Sequence, residues 1–150
     1  MPAFRASVSR TTIIAVVVAL ALVTVSIASA VVVQPQAHEP NDSPETATRI
    51  ADGETQEGTI SATDDLDYYA IAVDGPSQLT VEVTKDIGNN STLFADVLAP
   101  DEERLSSITL ESNESAGEAS VTVNQSGTYY IRMSGAENVS YSLTVTTHPF

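Results

Sequence analysis

From Gly58 onward, apolar and polar residues alternate with a period of two, and this constrains the fold of the 150-residue chain more than any other feature. Tyr69, Ile71 and Val73 alternate with Tyr68, Ala70 and Ala72, and Leu79, Val81 and Val83 with Thr80, Glu82 and Thr84. The same rhythm runs through residues 93–98, 119–124, 129–134 and 139–146. Strict alternation places one face of each strand against a core and the other in water. Asp74-Gly75-Pro76, Gly88-Asn89-Asn90, Ala99-Pro100-Asp101, Ser126-Gly127 and Ser134-Gly135 mark turns between these runs. Shorter strands are expected at 58–61 and 105–110, and a brief helical turn at 46–50. Seven to eight short strands at this spacing predict an all-β fold, an antiparallel β-sandwich of jelly-roll or Ig-like type.

One N-terminal hydrophobic helix is expected ahead of the sandwich. Arg5 and Arg10 precede an apolar stretch at 13–33, and no acid occurs before Glu39. Basic residues before an apolar run give an export orientation. As a helix its 21 residues would extend about 32 Å, enough to cross a bilayer. Ala28-Ser29-Ala30 also offers a small-x-small site for a signal peptidase. Residues 1–33 therefore read as a signal peptide or an N-terminal membrane anchor, with membrane contact through 13–33 if uncleaved. Residues 34–44 form a linker and opening motif, in which Pro35, Pro40 and Pro44 discourage helix, and 45–150 form the sandwich. On either reading the sandwich is extracellular or at the cell surface.

Charge excludes several functions. The chain holds 20 acids, all at or after Glu39, against Arg49, Lys85, Arg104 and Arg132 in the same region. No basic face is available for phosphate contacts, so nucleic acid is excluded as a partner. A surplus of acid with one lysine fits a halophilic protein that stays soluble in concentrated salt. The absence of cysteine removes disulfides, thiolate metal sites and thiol nucleophiles. The only histidines, His38 and His148, stand at the two ends of the exported part, and no His-Glu-x-x-His motif occurs. A hydrolase is therefore not expected.

Two acidic clusters differ from the scattered carboxylates. Glu39-Pro40-Asn41-Asp42 opens the domain, and Asp64-Asp65-Leu66-Asp67 feeds the strand that begins at Tyr68. Both are dense in the oxygen donors calcium prefers, without an EF-hand spacing. Asn and Asp also make side-chain turns at strand ends.

The two clusters, together with the strands between and after them, resemble the bacterial pre-peptidase C-terminal domain, a small β-sandwich often appended to secreted peptidases. The matching pieces occur in order. They are Glu39-Pro40-Asn41-Asp42-Ser43-Pro44 with Ala47-Thr48, then Gly58-Thr59-Ile60, then Asp64-x-x-Asp67-Tyr68-Tyr69. Ser126-Gly127-Thr128-Tyr129-Tyr130-Ile131 and Tyr141-Ser142-Leu143-Thr144-Val145 complete the match, which covers about 38–146. The resemblance implies a calcium site with ligands Glu39, Asn41, Asp42, Asp64 and Asp67. Some members carry another acid two residues before the opening Glu; here Ala37 stands there, which implies one ion rather than two. No peptidase segment accompanies the match.

The expected role is a non-catalytic surface module that binds, or acts as an accessory to, an envelope or secreted protein. A purely structural surface domain is the alternative. Tyr68 and Tyr130 face outward by the alternation, either as a contact patch or packed under a loop. All six asparagines begin an Asn-x-Ser/Thr sequon, which chance would produce on the order of once in 10⁴ given the Ser and Thr content. Asn90, Asn113 and Asn138 read as loop positions for glycosylation.

Overall fold

A computed structural model describes residues 39–87 and 90–150. The apolar stretch at 13–33 lies outside them, and among the described residues no helix is long and apolar enough to cross a membrane. The chain folds as β1 (Thr48–Arg49), β2 (Thr55–Ile60), β3 (Asp67–Val73), β4 (Ser77–Lys85) and β5 (Leu93–Leu98). It continues as β6 (Arg104–Leu110), β7 (Ala116–Val123), β8 (Gly127–Gly135) and β9 (Val139–Pro149). Five strands make one sheet in the order β1-β3-β8-β5-β6, and four make the other in the order β2-β9-β4-β7. All pairings are antiparallel except that of β1 with β3. The predicted sandwich is present, with nine strands among the described residues rather than seven or eight.

The alternating residues behave as the period demands. Leu79, Val81 and Val83 of β4, with Leu143 and Val145 of the neighbouring β9, face Tyr69 and Ile71 of β3, Val97 of β5 and Ile131 and Met133 of β8 across a sealed core. Burying such side chains contributes about 1.5–3 kcal/mol each, against the entropy of ordering them.

Two expectations are corrected. The helical turn expected at 46–50 is a 3-10 turn at Pro44–Thr46, followed by β1. Pro44 supplies the preset φ, Ser43 and Thr46 exchange hydrogen bonds, and Thr48–Arg49 then pair with Tyr69–Ala70. The strand expected at 58–61 begins earlier, at Thr55. Thr55, Gln56 and Glu57 carry no apolar signal; their pairing with β9 places them in the sheet.

Strand directions give the sandwich two poles. The β2–β3, β4–β5, β6–β7 and β8–β9 connections share one pole with the opening segment. The β3–β4, β5–β6 and β7–β8 turns share the other.

Candidate functional site

The site is built where β3 begins. The Tyr68 N–H donates to the Asn41 carbonyl at 2.8 Å, so the opening segment folds back along the start of β3. This brings the two acidic clusters together. Carboxylate oxygens of Glu39, Asp42 and Asp65 lie within 4.8 Å of one another. The loop after β2 is shaped by Asp65 itself, whose Oδ2 accepts the Ser61 N–H at 2.6 Å and the Ser61 hydroxyl at 2.8 Å. Asp64 is exposed, and the converging trio contains its neighbour Asp65 instead. Both have the same composition signal. Only the turn geometry, with Asp65 reaching back four residues to Ser61, separates them.

The same two segments hold two enclosed polar side chains, Asn41 and Asp67. Asn41 is 0% exposed, and among the described residues neither its amide nitrogen nor its amide oxygen has a hydrogen-bond partner. Asp67 is 1% exposed; its Oδ1 has no partner among the described residues, and its Oδ2 accepts the Tyr141 hydroxyl. Because Tyr141 spends its proton on Asp67, Tyr69 donates in the 2.8 Å bond between the two tyrosine hydroxyls. The rings meet edge to face, with centroids 6.4 Å apart. Sequence reading missed this relay, since neither tyrosine stands out as a partner of the acidic motifs. Its one signal is Gly58, which sits opposite Tyr141 in the β2–β9 register.

Electrostatics follow from the enclosure. Burial pushes the Asp67 carboxyl above its ordinary range; the Tyr141 hydrogen bond pulls it down, while the Asp65 and Asp42 charges push it up. The Asn41 amide favours the ionised form from nearby, without the alignment of a hydrogen bond. Glu39 is also raised, first by partial burial and then by the Asp67 charge, with the Asn41 backbone N–H opposing. Burial holds both Tyr69 and Tyr141 far above the ordinary phenol range, so both remain neutral donors. A buried polar group without a partner costs about 1–3 kcal/mol, and more when charged. Here such groups occur in the two segments that carry the three converging carboxylates.

Outward-facing positions of the five-stranded sheet carry a second charge group. The Asp96 carboxylate accepts from Arg132, with the more exposed Arg104 at 3.8 Å. Tyr68 pairs with Arg132 in the β3–β8 register and is 6% exposed. The outward tyrosine pair is therefore not an open contact patch: Tyr68 is covered and Tyr130 is half-buried.

No family model matches the chain, and no curated protein matches it. Among solved structures, it is similar to the pre-peptidase C-terminal domain of collagenase from Bacillus anthracis, with 23% identity and a TM-score of 0.54. That match covers 71% of this chain and 100% of the other. It is also similar to PliG of Aeromonas hydrophila, a periplasmic lysozyme inhibitor of g-type lysozyme, with 18% identity and a TM-score of 0.51. There the match covers 68% of this chain and 96% of the inhibitor. The chain thus has the fold of the pre-peptidase C-terminal domain, the family its sequence resembles.

Proposed function

We propose that this chain is a non-catalytic, exported β-sandwich module whose opening segment is fastened by one calcium ion, and that it acts by binding an envelope or secreted protein. The observation that carries the reading is the pair Asn41 and Asp67, enclosed with side-chain atoms unpaired among the described residues, in the same two segments that bring the Glu39, Asp42 and Asp65 carboxylates together. A hard cation taking six to eight oxygen ligands fits this donor set. In this reading Glu39, Asp42 and Asp65 supply carboxylate oxygens, Asn41 its amide oxygen and Asp67 its free Oδ1. Asp64, named by the family resemblance, is left out. The ion would supply the positive charge that offsets carboxylate repulsion, and would tie the 39–42 segment to β3.

A binding role draws on the fold. A rigid sandwich displays loops at two poles, and loops on rigid sheets commonly carry recognition. The Aeromonas lysozyme inhibitor has this fold and acts on a protein. Location draws on Arg5, Arg10 and the 13–33 stretch. Protease added to intact cells should digest the sandwich, or the chain should be found in the medium; protection until lysis would reject export.

Calcium tests the site. Binding the folded state alone stabilises it by about 2.7 kcal/mol at 100 times the dissociation constant. For a domain of this size that raises the melting temperature by about 10 °C. Magnesium at equal ionic strength should do less, because it demands tight octahedral geometry and keeps its waters. No calcium-specific shift would leave the clusters as turn-forming residues only.

A further inference from the structure

The six sequons are identical as motifs, but the five whose asparagine is described differ in local structure. Asn41 is fully buried, so the folded chain cannot offer it to a transferase. Asn124 lies at the pole opposite the acidic cluster, in a closed turn. There the Ser126 hydroxyl accepts the Gly75 N–H at 2.7 Å, and the Gln125 carbonyl accepts the Tyr129 hydroxyl at 2.9 Å. Asn138 has a φ of 61°, the adjoining Val139 is 2% exposed, and the Ser140 hydroxyl bonds Thr59 at 3.1 Å. In the last two, the sequon hydroxyl is already engaged.

The β6–β7 turn is different. Asn113, Glu114 and Ser115 all lie at the surface of this turn, with Glu114 and Ser115 exposed. Glu114 turns back so that its Oε2 accepts the Glu111 N–H at 3.0 Å, while the Glu114 N–H donates to the Glu111 carbonyl at 3.0 Å. That closes the turn with Asn113 outward. The Ser115 hydroxyl makes no hydrogen bond among the described residues. Asn90 is exposed as well, and the bonds that hold its sequon go to main-chain carbonyls of Ser91 and Thr92.

One buried residue holds these two loops side by side. Lys85, 6% exposed and the only lysine of the chain, donates its N–H to the Ser115 carbonyl at 2.9 Å and its Nζ to the Ser91 carbonyl at 2.8 Å. The side chain is anchored in the fold rather than offered to solvent, and its bonds reach one residue of each sequon.

We propose that Asn113 and Asn90 are N-glycan acceptors, presented together at the pole of the acidic cluster by Lys85, while Asn41, Asn124 and Asn138 stay unmodified. Glycans there crowd the rim of the open groove, about 1070 Å³, that Ser115, Lys85, Asp86, Glu57 and Glu39 line. Protein contacts are then left to the sheet faces and the opposite pole. The proposal rests on the reading that the sandwich is exported.

The test is glycopeptide mass mapping of the full chain from the cells that make it, with protease accessibility measured on the same cells. Trypsin separates the sequons: Asn41 lies in the peptide ending at Arg49, Asn90 in 86–104, Asn113 and Asn124 in 105–132, and Asn138 in 133–150. The expected result is a glycan mass on 105–132 and on 86–104, with fragmentation placing it on Asn113 and Asn90. N113Q should remove the increment from 105–132 alone. Bare peptides from a chain shown to be surface-accessible would overturn the glycan assignment and leave export standing. A chain protected inside intact cells would overturn both. Modification at Asn41, Asn124 or Asn138 in place of Asn113 would overturn the selection by local structure.

Discussion

G58A should be among the most damaging single-methyl substitutions in this domain, costing about 2–3 kcal/mol and lowering the melting temperature by about 10 °C. In a strand, exchanging Gly for Ala ordinarily gains roughly 0.5–1 kcal/mol, because Gly loses more freedom on folding. The sign reverses here because Gly58 lies against the tyrosine relay. A Cβ would stand 2.9 Å from the Tyr69 hydroxyl and closer still to that of Tyr141. Neither ring has room to give way: Tyr69 is 0% exposed and Tyr141 4%. Moving them would break the bond to Asp67 and leave a buried carboxylate with neither oxygen paired. A thermal melt of G58A beside a Gly53→Ala control measures the effect. Gly53 has no atom within 4 Å of its would-be Cβ, although its φ of 72° adds backbone strain. G58A melting at or above wild type would show that the relay is loose.

For D67N the expected result is a crossing. Without calcium the variant should melt at or above wild type, since the amide removes a charge that burial disfavours while still accepting from Tyr141. With saturating calcium, wild type should gain about 10 °C and the variant little, reversing the order. Proton linkage has the same origin. A carboxyl raised on folding contributes stability that is complete below its unfolded value and lost as pH rises through its folded value. Calcium-free wild type should therefore lose stability as pH climbs from the ordinary values of 3.8 for Asp67 and 4.5 for Glu39. Overall acid repulsion has the same direction, so the informative quantity is the difference from D67N, whose loss should be shallower. Glu39 is largely solvated and contributes the smaller part. Equal calcium shifts in both proteins at fixed ionic strength would mean that calcium acts by screening the surface.

The sheet-forming residues were legible because they sit in the core. Leu79-Val81-Val83 and Tyr141-Leu143-Val145 announce their inner faces by alternation, and each of these residues is 4% exposed or less. β1 was illegible because two residues carry no period, and only pairing with Tyr69 and Ala70 makes Thr48 and Arg49 a strand. Tyr68 shows a second limit. Alternation placed it outward on β3, but it did not say that the side chain would be buried there, at 6% exposure. In the site, composition marked both acidic clusters, but not the long-range bond from Tyr68 to Asn41 that lays one along the other. Composition could not rank Asp64 against Asp65, since the choice is made by the hydrogen bonds of Asp65 to Ser61.

The ligand set is tested most directly by isothermal titration of calcium into chelator-treated protein, comparing wild type with D65N, D64N and E114Q. One ion per wild-type chain is expected. D65N should lose most of the affinity, although its amide keeps the bonds to Ser61 in reach. D64N, altered one residue away on an exposed side chain, should bind as wild type does, and so should E114Q in the β6–β7 turn. An absence of binding in wild type, or binding lost in D64N and retained in D65N, would contradict a calcium site built on Asp65.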